Sequence, residues 1–178
     1  GLDKNGYPNY IVKAFEIATE YATNKKLIYN QNGGMQKEMW DKVKQTVLYL
    51  KSIGLRVDGI GWQGHIKLGA STYDFVNNLD NQIKELSNLI DWAHDNNLEF
   101  HITELDYFIK EGENLDQETK KQYIIYKKII DLLNEKSNNG TVTLNFWDLA
   151  VREKNNKGSF HSIYDKKLEP TLIYNLIN

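Results

Sequence analysis

The sequence predicts an α/β fold built around a parallel sheet, and its alternating hydrophobic patterns carry this prediction. Short runs rich in β-branched and aromatic residues alternate with longer segments whose apolar residues recur at helical spacing. Strands that alternate with helices indicate parallel pairing through right-handed crossovers. Because the chain has 178 residues, 40% of them hydrophobic and 26% charged, we expect a single globular domain over residues 1–178.

The first half of the chain contains two predicted strands. Residues 9–24 repeat apolar side chains at helical spacing, and residues 26–30 (KLIYN) have the composition of a short strand. Residues 36–54 form the next predicted helix, with Gly54 as the residue that ends it. Residues 56–65 begin as a strand and end among glycines. The apolar face of the 36–54 helix consists of Trp40, Val43, Val47 and Leu50.

The second half repeats the pattern twice. Residues 77–97 are a predicted helix, and residues 98–108 are a predicted strand. Residues 115–136 follow as a helix with Asp116 as its candidate N-cap, and residues 141–147 form the last predicted strand. The predicted apolar faces are Leu79, Ile83, Leu86, Ile90 and Ala93 in the first helix, and Tyr123, Tyr126, Ile130 and Leu133 in the second.

Residues 170–177 are a predicted final helix, with Pro170 at its first position. The resulting four strands fit two arrangements. They could form half of a (β/α)8 barrel, which typically takes about 250 residues, or an open four-stranded doubly wound sheet. The patterns alone leave both arrangements open.

Polar or aromatic side chains end every predicted strand. In residues 98–108, Glu104 and Asp106 follow an apolar run, although an unpaired buried charge is strongly unfavourable. Since residues two apart share a strand face, we expect Phe100, Ile102, Glu104 and Asp106 on one face. The carboxyl ends of parallel strands are where α/β proteins place active sites, so this pattern predicts one. The corresponding side chains of the other strands are Asn30, Gln63, His65, Asn145 and Trp147.

The motifs around these residues resemble glycoside hydrolase family 10, the retaining β-1,4-xylanases. ITELD at 102–106 matches the strand-seven motif of that family, and GWQGH at 61–65 matches its strand-six motif. YN at 29–30 and FW at 146–147 match strands five and eight, and the tail IYDKKLEPTLIY resembles the end of the family's catalytic domain. The resemblance covers essentially the whole chain. It implies a TIM-barrel family member in which this chain is the carboxyl-terminal half of the catalytic barrel, roughly strands 5–8 with their helices.

By this resemblance Glu104 is the catalytic nucleophile, His65 hydrogen-bonds it, and Asp106 orients His65. An ionised carboxylate below the anomeric carbon can form the glycosyl-enzyme intermediate of a retaining hydrolase. The implied activity is cleavage of internal β-1,4-xylosidic bonds of xylan with retention. The implied substrate-binding residues are Asn30, Gln63 and Trp147.

Three departures from the family pattern stand out. The Asn-Glu pair that supplies the acid/base glutamate in the family occurs here only at 134–135, at the end of a helix, so we expect that glutamate upstream of Gly1. YNQNG replaces YNDYN, and the run DLAVREKNNKG lacks the lid tryptophan that follows strand eight. The last two leave the glycan specificity open. We therefore expect the isolated chain to be inactive and to need the amino-terminal half of the barrel, or to self-associate through exposed edges.

Composition limits the remaining function classes. The formal net charge of −2 gives no argument for nucleic acid, and no apolar run approaches the roughly 18 residues of a membrane span. We predict no metal and no cofactor. The chain as given begins without a signal-like segment, so an extracellular location is implied by the resemblance alone. Two alternatives are a non-catalytic carbohydrate-binding relative and an α/β protein without a sugar ligand; the joint retention of Glu104, His65 and Asp106 argues against the first.

Overall fold

A computed structural model describes residues 1–155 and 157–177. Helices and strands alternate through most of it, and two short 3₁₀ helices lie at Ala70–Thr72 and Tyr174–Leu176. In chain order the elements are α1 (Asn9–Tyr21), β1 (Ile28–Gln31), α2 (Lys37–Ser52), β2 (Gly59–Trp62), β3 (His65–Ile66), α3 (Asp74–Asn77), α4 (Leu79–Asp95), β4 (Glu99–Lys110), α5 (Leu115–Lys136), β5 (Val142–Phe146), β6 (Arg152–Glu153) and β7 (Gly158–His161).

Four parallel strands in the order β1-β2-β4-β5 form the main sheet, which confirms the predicted parallel arrangement. The register gives rows of side chains that share one face. One row contains Ile60, Phe100 and Val142, and the neighbouring row on the opposite face contains Asn30, Gly61, His101 and Thr143. The two faces therefore differ sharply in polarity.

The helices pack on the apolar face of this sheet. Tyr29 stacks on Phe15 of α1, with ring centroids 6.3 Å apart, and Trp62 stacks on Phe75 of α3 at 4.9 Å. Phe146 lies 6.0 Å from Tyr126 of α5. A doubly wound sheet would need helices on both faces, so these contacts favour one wall of a barrel over the open alternative.

The hydrophobic core lies between this face and the helices α2, α4 and α5. Its side chains are almost fully buried, and the predicted faces of α2 and α4 supply much of it. Gly54 adopts φ +83°, as the predicted end of α2 requires. Central members of the core are Trp40, Val47, Leu50, Ile60, Trp62, Leu86, Ile90, Phe100, Ile102 and Tyr126.

Helix α5 differs from the prediction at its start and on its inner face. Its N-cap is Asn114, whose side chain accepts a hydrogen bond from the Gln117 N–H at 3.0 Å, and not Asp116. Because Asn114 and Gln117 stand three residues apart, they have the spacing of a capping box, a signal that the sequence already contained. Tyr126 and Leu133 are buried as expected, but Ile129 takes the buried position predicted for Ile130.

The predicted final helix is wrong. Residues 170–177 form turns with one 3₁₀ segment. The Thr171 hydroxyl donates to the Ser162 carbonyl at 3.0 Å and accepts a hydrogen bond from the Ile173 N–H at 3.2 Å. Ile173 is fully buried and anchors this tail. Eight residues are too few for a helix to be stable without strong tertiary support.

Three further short strands extend the sheet beyond the predicted strands. β4 continues to Lys110 and pairs with the short parallel strand β3 and with the antiparallel hairpin β6–β7. Thus β4 pairs both with strands of the main sheet and with strands of this extension. No helix among residues 1–155 and 157–177 is long and apolar enough to cross a membrane.

Candidate active site

Three of the residues predicted to form a site, Asn30, His65 and Asp106, lie around Glu104 at the carboxyl ends of the parallel strands. Glu104 Oε2 lies 3.2 Å from His65 Nε2, and Glu104 Oε1 accepts a hydrogen bond of 3.3 Å from Asn30 Nδ2. On the other side of the imidazole, His65 Nδ1 lies 2.9 Å from Asp106 Oδ1. Each oxygen of Glu104 is thus contacted by a side chain from a different strand, and these contacts hold the carboxylate in one orientation.

A β-bulge in β4 produces this orientation, and it corrects the expected alternation. The pairing of β4 with β5 shifts register between Ile102 and Leu105. Ile102 packs in the core on the helix side, whereas both Thr103 and Glu104 reach Asn30 on the opposite side. Two successive side chains can share a face only where the pleat is interrupted. The predicted common face of Phe100, Ile102, Glu104 and Asp106 is therefore wrong, because the bulge turns Glu104 away from the core and Asp106 contacts His65 of the site.

Thr103 is a member of the site that the sequence interpretation missed. Its Oγ1 donates to Asn30 Oδ1 at 3.0 Å. That bond fixes the Asn30 amide so that its Nδ2 group points to Glu104. A polar residue within an otherwise apolar run was the available signal.

Glycines in β2 leave room for this network. A Cβ added at Gly61 would stand 2.6 Å from Asn30 Oδ1 and 3.1 Å from Thr103 Cγ2. Real Cβ atoms do not approach other atoms so closely, so any side chain at position 61 would displace Asn30. The inner face of β2 is open because position 61 carries no side chain.

His65 is positioned by a tight turn after β2. Gly64 adopts φ +81°, a conformation that other residues rarely take, and the following strand β3 pairs His65 with Asp106 in register. Gln63 is half-buried just before this turn, and its backbone N–H donates to the Gln31 carbonyl at 2.9 Å. Gln63 is two residues before His65 in the sequence, and its role in binding substrate stays a prediction.

The charges around His65 favour the imidazolium form. Burial lowers the pKa of His65, but the hydrogen bond to Asp106 and the charges of Asp106 and Glu104 outweigh burial and raise that pKa above its ordinary value. The geometry agrees, because a neutral imidazole can donate from only one nitrogen whereas both nitrogens face carboxylate oxygens. Burial raises the pKa of Asp106, and His65 opposes that effect.

Trp147 borders the site from the end of β5. Its ring meets the His65 ring edge-on at a centroid distance of 6.1 Å, and its side chain is 53% exposed. An exposed aromatic ring beside a carboxylate offers a stacking surface for a sugar. The adjacent Asp148 carboxylate accepts hydrogen bonds from Arg152 Nε at 2.9 and 3.1 Å. Asp148 is thereby engaged as the partner of a guanidinium.

A buried ionic cluster lies behind the site and was also missed by the sequence interpretation. Lys67, two residues after His65, is 3% exposed and has φ +63°. Its Nζ lies 2.5 Å from Glu118 Oε2 and 2.7 Å from Glu113 Oε2. Tyr107 donates to the same Glu118 oxygen at 2.9 Å. The cluster ties the turn after β3 to β4 and to the start of α5.

Comparison with known proteins identifies the family of this chain. The sequence profile of Glycosyl hydrolase family 10 matches residues 2–178. Endo-1,4-beta-xylanase A of Thermoanaerobacterium saccharolyticum is 32% identical over 148 residues, covering 80% of this chain and 11% of that protein. Exoglucanase XynX of Acetivibrio thermocellus is also 32% identical over 148 residues, covering 80% of this chain and 12% of that protein.

A solved structure gives the same result for the fold. The crystal structure of xylanase 10B from Thermotoga petrophila in complex with xylobiose superposes with a TM-score of 0.75 at 28% identity. The superposition covers 96% of this chain and 50% of that one, so this chain spans about half of the solved xylanase and a smaller share of the curated relatives above. The resemblance seen in the motifs is confirmed: the chain belongs to glycosyl hydrolase family 10.

Proposed function

We propose that this chain is the carboxyl-terminal half, strands five to eight, of a retaining endo-β-1,4-xylanase barrel, with Glu104 as its nucleophile. The observation that carries the proposal is the chain of contacts from Asp106 through His65 to Glu104, joined by Asn30 on the other carboxylate oxygen. A binding module has no need for a carboxylate held from both sides.

Glu104 has the environment that a glycosidase nucleophile requires. His65 and the amide of Asn30 face the two oxygens of the Glu104 carboxylate, which must attack the anomeric carbon. When the glycosyl-enzyme ester forms, one oxygen of Glu104 becomes bonded to the sugar. The contacts to the carboxylate then weaken, and they return when water hydrolyses the ester and the carboxylate leaves. His65 and Asn30 thus favour departure of the nucleophile in the second step.

The second carboxyl group of the mechanism is proposed to come from the preceding half of the barrel. A retaining hydrolase places its acid/base about 5 to 5.5 Å from the nucleophile. Asp148 is a poor candidate, because its carboxylate is bound by the Arg152 guanidinium. Glu135 is exposed near the end of α5 and is equally unsuited. The Asn-Glu motif of the family, expected before residue 1, would supply the group.

The test compares this chain with a longer protein that also contains the amino-terminal half. The longer protein should hydrolyse xylan with retained anomeric configuration, followed by NMR of the first products, and the 178-residue chain alone should not. Glu104→Ala should abolish turnover, whereas Glu135→Ala should leave it unchanged. A small anion such as azide should restore cleavage of an activated aryl xyloside by Glu104→Ala and give the inverted glycosyl azide.

Two results would contradict the proposal. Full xylan hydrolysis by the Glu104→Ala variant would remove Glu104 from the nucleophile role. Tight xylo-oligosaccharide binding without any turnover in the longer protein would instead favour the non-catalytic alternative.

A further inference from the structure

A cavity with a cationic rim lies at the far end of β4, beside the β6–β7 hairpin. Its volume is about 570 Å³. Leu68 and Phe108 provide apolar surface, and Leu68 is 39% exposed. Its polar rim comprises Lys110, Glu111, Lys154 and Lys157.

The three rim lysines have no carboxylate partner among residues 1–155 and 157–177. The acidic residues of the hairpin region are already engaged, since Glu153 pairs with Lys166 and Asp148 pairs with Arg152. Against three ammonium groups the rim has one carboxylate, that of Glu111, which leaves an excess of positive charge. A mainly cationic rim around an apolar floor fits a ligand that combines a carboxylate with a non-polar ring face.

The backbone beneath the rim is held in place. Gly158 has φ +140°, and a Cβ there would stand 2.2 Å from the Ile109 carbonyl oxygen and 2.8 Å from Phe108 Cζ. The hairpin therefore packs closely on β4. Lys157 N–H donates to the Lys154 carbonyl at 2.9 Å, and Glu111 N–H donates to the Lys157 carbonyl at 3.1 Å. Lys154 also lies over the Phe108 ring, 5.7 Å from its centroid.

The cavity and Glu104 lie on the same strand, β4. Phe108 is four residues beyond Glu104 on β4, about 13 Å along the strand. Tyr107 and Ile109 are buried, and Tyr107 contacts α5 through Glu118, so the alternation directs Phe108 to the other face of the strand, away from α5. A glycan of several sugars extending from Glu104 can therefore present a side branch to Phe108.

We propose that this cavity binds a uronic-acid branch of the glycan, with the sugar ring against Phe108 and the carboxylate between Lys154 and Lys157. The protein would then prefer acid-substituted xylan over the unbranched polymer. The inference rests on the proposed function for its glycan backbone, but the cavity itself can be tested by binding alone.

The experiment uses the longer protein with Glu104→Gln, so that no ligand is cleaved. Two ligands are compared by calorimetry: a xylotriose with one glucuronic acid branch, and the same molecule with the carboxyl group reduced to an alcohol. We expect the acid form to bind about three- to tenfold more tightly, and the difference to shrink at high salt. The double variant Lys154→Gln/Lys157→Gln should remove the difference. The control Lys84→Gln/Lys120→Gln removes the same charge from exposed helix positions and should keep it.

Equal affinity for the two ligands, or a preference that survives Lys154→Gln/Lys157→Gln, would overturn the inference. Full competition by an acidic hexapeptide lacking sugar would also overturn it and would point to a protein partner. A separate experiment tests the proposed function. If the longer protein with Glu104 intact does not hydrolyse unbranched xylan, the proposed function fails whatever the binding result.

Discussion

Replacing Lys67 by methionine should destabilise the protein by about 2–3 kcal/mol. Removing one partner of a buried ion pair lowers the free energy of unfolding by about 3–5 kcal/mol, because the other charge stays buried without a partner. Lys121 Nζ, at 2.6 Å from Glu118, remains and reduces that cost. The pKa of Glu118 leads to a similar figure. Burial raises it, but hydrogen bonds from Lys121, Lys67 and Tyr107 prevail and lower it from 4.5 to about 2. That difference corresponds to about 3 kcal/mol, of which Lys67 supplies a part.

Urea unfolding of the longer protein measures this loss, and its pH dependence checks the cause. Because the folded-state pKa of Glu118 is lowered, its stabilisation is present above about pH 4.5 and is lost as the pH falls towards 2. The stability gap between wild type and Lys67→Met should therefore close over that range. Lys127→Met is the matched control, since Lys127 makes an exposed pair with Asp131 at the same 2.7 Å that separates Lys67 from Glu113. A loss no larger than that of the control, or a gap that is constant between pH 5 and 2, would refute the reasoning.

Three further outcomes concern the site itself. Asp106→Asn and His65→Ala should each lower kcat/KM of the longer protein. The loss in the double variant should be much smaller than the sum of the two single losses, and a loss equal to that sum would show that the residues act separately. NMR titration should give His65 a pKa above 6.5, and this pKa should fall in Asp106→Asn. The stability that protonated His65 contributes should be complete below about pH 6.5 and should disappear as the pH rises through the folded-state pKa. A His65 pKa that is the same in both proteins would contradict the claim that Asp106 favours the imidazolium. Gly61→Ala should displace Asn30 and reduce activity more than the control Gly69→Ala, because a Cβ at position 69 would meet only open space. Equal effects of the two substitutions would contradict the claim that position 61 must lack a side chain.

The main sheet and its helices were predictable because their patterns are local. The period-two and helical repeats in residues 26–147 mark the strands β1, β2, β4 and β5 and the helices between them. The polar residues at the strand ends indicate a site at Glu104, His65 and Asp106, and in the structure these three side chains are in contact through His65. Both signals lie within single segments of the sequence.

The missed features depend on contacts between distant segments. The bulge between Ile102 and Leu105 arises from pairing with β5, about 40 residues later, so simple alternation placed Glu104 on the wrong face. The cluster around Lys67 joins residues 46 and 51 positions apart, and a lone lysine after a strand gives no sign of burial. The β6–β7 hairpin is too short for a periodic pattern and forms because Gly158 permits close packing on β4.

The two faces of the sheet support the proposal that the amino-terminal half of a barrel completes this chain. The helix side buries the core, whereas the opposite side carries Asn30, Gly61, Thr103 and Glu104, which leave room for a substrate but bury little apolar surface. The apolar surface that this wall buries therefore lies on the helix side. At one edge, β1 pairs with β2 and has no second strand partner among residues 1–155 and 157–177, and none of the residues of α1 is buried. An unpaired strand beside a poorly buried helix is a surface on which another strand and helix can pack. We therefore propose that the amino-terminal half of the barrel docks at this edge, where it would complete the fold and bring the acid/base carboxyl group that the proposed nucleophile Glu104 would need.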